Sequence, residues 1–174
     1  MRKWGVRAWA AGGALAAAMV IGSGAGAAGT SGPIQFYVSG TTVTTPILVT
    51  GVVTDYGKAT SVTRSGKPDE NGNYEKIVLQ KGGFWVDATA LNKQLNHVKP
   101  VVDTKNCSFS FKGTGPTKLF KGSGAYAGIS GGVTVTVDFV AIGPTLPNGK
   151  CNTSNNAAPV AQYGNVTGSG AARF

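Results

Sequence analysis

The sequence predicts an all-β domain, a barrel or sandwich of short antiparallel strands, behind an N-terminal export segment. Beyond residue 27 the polar–apolar alternation has period two almost everywhere and a helical period almost nowhere. Turn-forming Gly, Asn, Asp and Pro clusters interrupt these runs at roughly the 8–12-residue spacing usual for such folds. Glycine supplies 27 of 174 residues, which suits sharp bends and close strand approaches.

The export segment comes first. Arg2, Lys3 and Arg7 precede an apolar run over residues 8–21, and the small residues GSGAGAAG follow. This is the order of a secretory signal peptide, with Ala25 and Ala27 placing cleavage after residue 27, or one residue later after Ala28. The alternative is a retained anchor, but 14 apolar residues fall short of the roughly 20 a spanning helix needs. Residues 1–27 are therefore assigned as the signal peptide and 28–40 as a flexible lead. The mature chain is secreted or associated with the cell envelope, and no later stretch is apolar enough to span a membrane. It has 13 basic and 7 acidic side chains, a net +6.

The clearest strand is Val133–Val140, where Val133, Val135, Val137 and Phe139 share one face and Thr134, Thr136 and Asp138 the other. Similar runs occupy Ile34–Val38, Thr42–Thr54, Lys58–Arg64, Tyr74–Gln80, Phe84–Leu91, Val98–Thr104, Ser108–Phe111, Thr117–Phe120 and Val160–Thr167. Pro46 implies a break or an edge inside the second of these. Turns are expected at Asp55-Tyr56-Gly57, at residues 69–73, at Gly82-Gly83 and at Pro147-Asn148-Gly149. Ala90–His97 is the one candidate for a helical turn, and Asn152–Pro159 reads as an exposed loop.

Cys107 and Cys151 are the two cysteines of the chain. Export makes a disulfide between them the default, with free thiols or pairing to another chain as alternatives. Closing 44 positions stabilises the fold by roughly 4 kcal/mol on the chain-entropy account. Two cysteines and one histidine exclude the usual four-ligand zinc site. The lysines are scattered and arginine is scarce, which speaks against a nucleic-acid surface. Gly122–Ala127 matches G-x-G-x-x-A, but a Val/Thr strand follows where a dinucleotide site needs a helix. No cofactor is expected.

Phe120-Lys-Gly-Ser-Gly-Ala-Tyr-Ala-Gly-Ile-Ser-Gly-Gly132, followed by the Val/Thr strand, resembles the glycine-rich hairpin of the allene oxide cyclase and dirigent-type β-barrel superfamily, above all its small secreted bacterial members. Those members carry a Cys before the hairpin and often a second after it, as Cys107 and Cys151 lie here. The motif covers about 15 residues, and the strand layout extends the likeness loosely over 40–174. The resemblance implies an eight-stranded antiparallel barrel with a central cavity, over residues 41–174. Plant members use polar groups inside the barrel to handle an epoxide or to orient phenoxy radicals. Those groups have no clear counterparts in this sequence, so the activity does not follow from the resemblance.

Few residues suit catalysis. His97 is the only His and sits in the polar segment NKQLNHVK, and there is no G-x-S-x-G elbow for a triad. Of the seven acids, Asp87 stands out. It shares the odd face of Phe84–Thr89 with Trp85 and Thr89, while Phe84, Val86 and Ala88 form the even face. If the odd face looks inward, Trp85 and Asp87 line the cavity and desolvation raises the Asp87 pKa. If it looks outward, Trp85 lies on the surface or under a loop. Tyr126 either packs over the neighbouring glycines or contacts a ligand. Trp85, Asp87, Tyr126 and His97 are thus the candidate ligand-binding residues. The expected function is binding of a small apolar ligand or an envelope partner, with a cyclase-type isomerase as the alternative. A solid barrel acting only through its surface is the third case. An ionisable residue lining the cavity would favour catalysis, and a dry apolar cavity would favour binding.

Overall fold

The computed structural model describes residues 29–152, 154 and 157–174; the expected signal peptide lies outside the described residues. Nine strands and one helix occur among the described residues: β1 (Ser31–Ser39), β2 (Thr44–Gly51), β3 (Asp55–Val62), β4 (Tyr74–Leu79), β5 (Gly82–Asp87), α1 (Thr89–Leu95), β6 (Val101–Asp103), β7 (Ser108–Gly124), β8 (Ser130–Ile142) and β9 (Ala161–Arg173). The sheet order is β5-β4-β3-β2-β1-β9-β8-β7-β6, every pair antiparallel. Pairing of β5 with β7 closes eight of these strands into a barrel. The ninth, β6, adds to β7 outside the ring.

β7 explains how both pairings fit. It is one 17-residue strand, where the sequence suggested two separate runs at Ser108–Phe111 and Thr117–Phe120. Its second half pairs with β5 through Asp87↔Lys118 and Val86↔Leu119, and its first half pairs with β6 through Val101↔Ser110. Between these, α1 replaces β5 as its neighbour. The run expected as a strand over Phe84–Leu91 stops at Asp87 because the next turn winds into this helix. Leu91 and Leu95 pack where β7 presents Gly113 and Gly115. A Cβ on Gly115 would lie 2.7 Å from Gln94 Oε1 and 3.0 Å from Leu91 Cα, so the glycine makes room for the helix.

The period-two patterns fix the inside of the barrel. Buried side chains alternate along β2 (Thr45, Ile47, Val49), β5 (Phe84, Val86) and β8 (Val133, Val135). Pro46 lies one position past the last β1–β2 pair, Val38↔Ile47, so β2 is an edge there. The expected turn at Asp55–Gly57 instead opens β3, because the chain reverses over residues 52–54. The flexible lead over 28–40 is also corrected. Residues 31–39 are β1, inserted between β2 and β9, so the barrel begins ten residues earlier than expected. Cys107 and Cys151 form a disulfide that ties the start of β7 to the segment between β8 and β9.

Candidate functional site

The barrel is filled at one end and hollow at the other. At the filled end, the β7–β8 turn folds Tyr126 inward. Its ring meets Phe84 edge-on at 6.2 Å and Phe174 at 5.6 Å, and Phe84 stacks on Phe36 at 6.0 Å. Gly124 allows that turn: it has φ +60, and a Cβ there would lie 2.8 Å from Gly82 Cα. The Tyr126 hydroxyl donates to Asp55 Oδ2 at 2.7 Å. Asp55 also accepts from the amides of Tyr56 (2.8 Å) and Lys81 (3.0 Å). Burial pushes the Asp55 pKa up, but these donors outweigh it and hold the carboxyl below its ordinary range. Burial and the neighbouring carboxylate push Tyr126 up to about 12.

At the other end the side chains leave a chamber of about 220 Å³. Phe36, Ile47, Ile77, Val86, Val135 and Leu91 are among its apolar walls, and the exposed Gly40 and Thr42 mark its mouth. Its side-chain polar groups are Thr42, Thr45, Ser61, Glu75 and Thr117. Thr117 turns its hydroxyl to the Val133 carbonyl (2.9 Å). Glu75 is the one ionisable group among the lining residues. It enters the barrel because it lies in phase with the buried Ile77 and Leu79 on β4, directly opposite Ser61 of β3. Burial raises its pKa to about 7, against the lowering pull of the Ser61 hydroxyl. A carboxyl that gains and loses its proton near neutrality can act as donor, acceptor, or proton carrier.

The residues singled out from the sequence are placed elsewhere. Trp85 and Asp87 lie on the outer face of β5, because Phe84, Val86 and Ala88 supply the larger apolar set and turn inward. Trp85 packs on Phe120 (6.0 Å) with Lys121 Nζ 4.5 Å above its ring. Asp87 accepts from the Thr89 amide at 2.9 Å at the entry to α1. The Asp87 pKa is lowered, chiefly by Thr89, rather than raised. Tyr126 is buried in the filled end, where its ring packs on Phe84 and Phe174, and it is absent from the chamber lining. His97 is exposed just past α1 and is absent from the chamber lining. The structure therefore does not bring these four together. Glu75 went unremarked in the sequence, although its phase with Ile77 and Leu79 was there to read.

Two other hollows carry less chemistry. A cleft of about 590 Å³ lies by the disulfide, and its acid, Asp103, already accepts from the Lys105 and Asn106 amides and from the Asn106 side chain. A shallow groove on the outer faces of β1, β8 and β9 is lined by Gln35, Tyr37 and hydroxyl residues such as Thr134 and Thr136. Among the described residues no cluster of three or more His, Cys, Asp or Glu forms a metal site, and no helix is long and apolar enough to cross a membrane. Comparison with protein-family models, with curated proteins and with solved structures gives no match.

Proposed function

We propose that this protein is an exported binding barrel that takes one small, largely apolar molecule into the hollow end, with a polar atom of that molecule at Glu75. The observation that carries this reading is the chamber itself, an apolar volume of about 220 Å³ with one ionisable side chain in its wall. An eight-stranded barrel is wide enough to be filled by side chains or to hold one small ligand, and here only one end is filled. The volume exceeds the roughly 150 Å³ that accepts benzene in an engineered apolar cavity and falls below the roughly 300 Å³ at which drug-sized sites begin. Export is supported by the N-terminal segment and by the disulfide, a bond that persists in oxidising compartments. The likeness to the allene oxide cyclase and dirigent-type barrels supports the same hollow architecture.

Titration with 2-phenylethanol, followed by NMR, tests the reading. Methyl shifts at Ile47, Ile77 and Val135 are expected to saturate, and Ala59→Leu, which places extra volume on the chamber wall, is expected to abolish them. Shifts confined to the outer faces, or binding that survives Ala59→Leu, would count against it.

A second reading, catalysis, meets the criterion set from the sequence, since an ionisable side chain lines the cavity and burial holds it near pKa 7. Binding stands first because Glu75 has no second titratable group beside it in the lining. The Glu75 carboxyl suits proton transfer in an isomerisation, since an acid–base catalyst works best with a pKa close to the working pH. Glu75→Gln would then remove turnover while ligand uptake persists. Turnover that survives the substitution would exclude this role.

A further inference from the structure

We infer that the occupant of the barrel chamber is a compact organic cation, a primary ammonium on an aromatic or short aliphatic body, with its nitrogen at Glu75. This rests on the reading of the chamber as a ligand site and adds the ligand's charge.

The argument is one of missing counter-charge. Glu75 brings a carboxyl into an apolar chamber whose lining supplies no basic side chain. On β4 and its neighbours β3 and β5, Lys58, Lys76 and Asp87 lie on outward-facing positions, as does Lys118 of β7. Asp55 of β3 is buried but sits in the filled end, bonded to Tyr126 and outside the chamber lining. On the inward side Glu75 meets Ser61 across the β3–β4 ladder and Val86 across the β4–β5 ladder, and Leu91 of α1 lines the same chamber. An ionised carboxylate there lacks a positive partner, and the protein's response is to keep the proton until about neutral pH. A ligand ammonium supplies that partner. Its three N–H donors match the carboxylate and the hydroxyl oxygens of Ser61 and Thr45, which share the lining. A carboxylate ligand would meet like charge with no basic group to receive it. A neutral ligand shares a hydrogen bond with the carboxyl but brings no counter-charge. The volume fits one aromatic ring with a short aminoalkyl arm.

Protonation of Glu75 and binding of the cation then compete. With a carboxyl titrating at about 7, affinity for the amine is expected to be near its maximum at pH 8 and to fall about a hundredfold by pH 5. The test is calorimetric titration of the intact protein with 2-phenylethylamine, 2-phenylethanol and phenylacetate at both values. The expected result is amine binding at least tenfold tighter than the alcohol at pH 8, steep loss of amine affinity in acid, and flat alcohol affinity. Glu75→Gln is expected to erase the preference and keep the alcohol, with its thermal unfolding recorded as a check on folding. Alcohol and amine binding equally at pH 8, amine affinity flat with pH, or phenylacetate binding best would each overturn the inference and leave the chamber reading standing. No binding of any of the three would overturn both. The pH arm uses the unaltered chain, so it decides the matter even if the variant fails to fold.

Discussion

The Tyr126 hydroxyl donates to Asp55 Oδ2 across 71 positions of sequence, fastening the β7–β8 turn to the start of β3. This bond joins the glycine-rich hairpin to the opposite wall of the barrel, and both partners are buried.

Tyr126→Phe keeps the ring contacts with Phe84 and Phe174 and removes only the donor. Hydrogen bonds to a charged acceptor contribute about 1.5–3 kcal/mol, so a loss of that size is expected in urea unfolding at pH 7. Because the Asp55 pKa is depressed, its stabilisation is present above the ordinary aspartate value and is lost as pH falls below it. The cost of Tyr126→Phe should therefore shrink in strong acid. A constant cost at every pH would show that the ring, not the bond, was disturbed.

Glu75 acts in the opposite direction. Its pKa rises from an ordinary 4.5 to about 7, so the native state holds a proton that the unfolded chain has already released. The Glu75 contribution to stability is greatest below pH 4.5, falls as pH rises towards 7 and levels above it, by about 3 kcal/mol in total. Glu75→Gln should flatten that slope and exceed the parent protein in stability at pH 8. Urea melts at pH 4.5, 6 and 8 measure both effects, and a parent curve rising through this window would contradict them.

Gly115→Ala places a methyl group against the backbone of α1 at Leu91. Overpacking of this kind costs about 1–3 kcal/mol. The strain falls on the helix, so faster amide exchange at Asn92–Asn96 should accompany the lower melting temperature. Strand amides of β8 and β9 should exchange as before.

Much of the fold was legible because a strand's alternation is local. Val133–Val140 declares its inner face without help from its partners, and the disulfide followed from export and two cysteines. The faces of β5 were not legible in the same way. Phe84, Val86 and Ala88 compete with Trp85 for the interior, and only the register against β4 and β7 decides between them. α1 was half visible, since Ala90–His97 has the composition of a helix, but the reason it forms where it does is Gly113 and Gly115 on a strand some twenty residues later. Glu75 was missed because the two faces of the Tyr74–Gln80 run were not told apart. In a hollow barrel the inner face does not exclude charge as a solid core does, so in-phase placement with Ile77 and Leu79 was the better guide.

The half-filled barrel also divides the chain's tolerance to change. Residues that knit the aromatic plug, such as Phe84, Tyr126 and Phe174, are separate from wall positions such as Ala59, Ala88, Val137 and Val166. Phe36, stacked on Phe84 and lining the chamber, is where the two meet; substitutions away from it, at sites that share no partner, tend to add rather than compound. The hollow end can therefore be recut for molecules of other shapes while the plugged end goes on holding the scaffold together, which makes this small barrel a natural template for evolving new specificities.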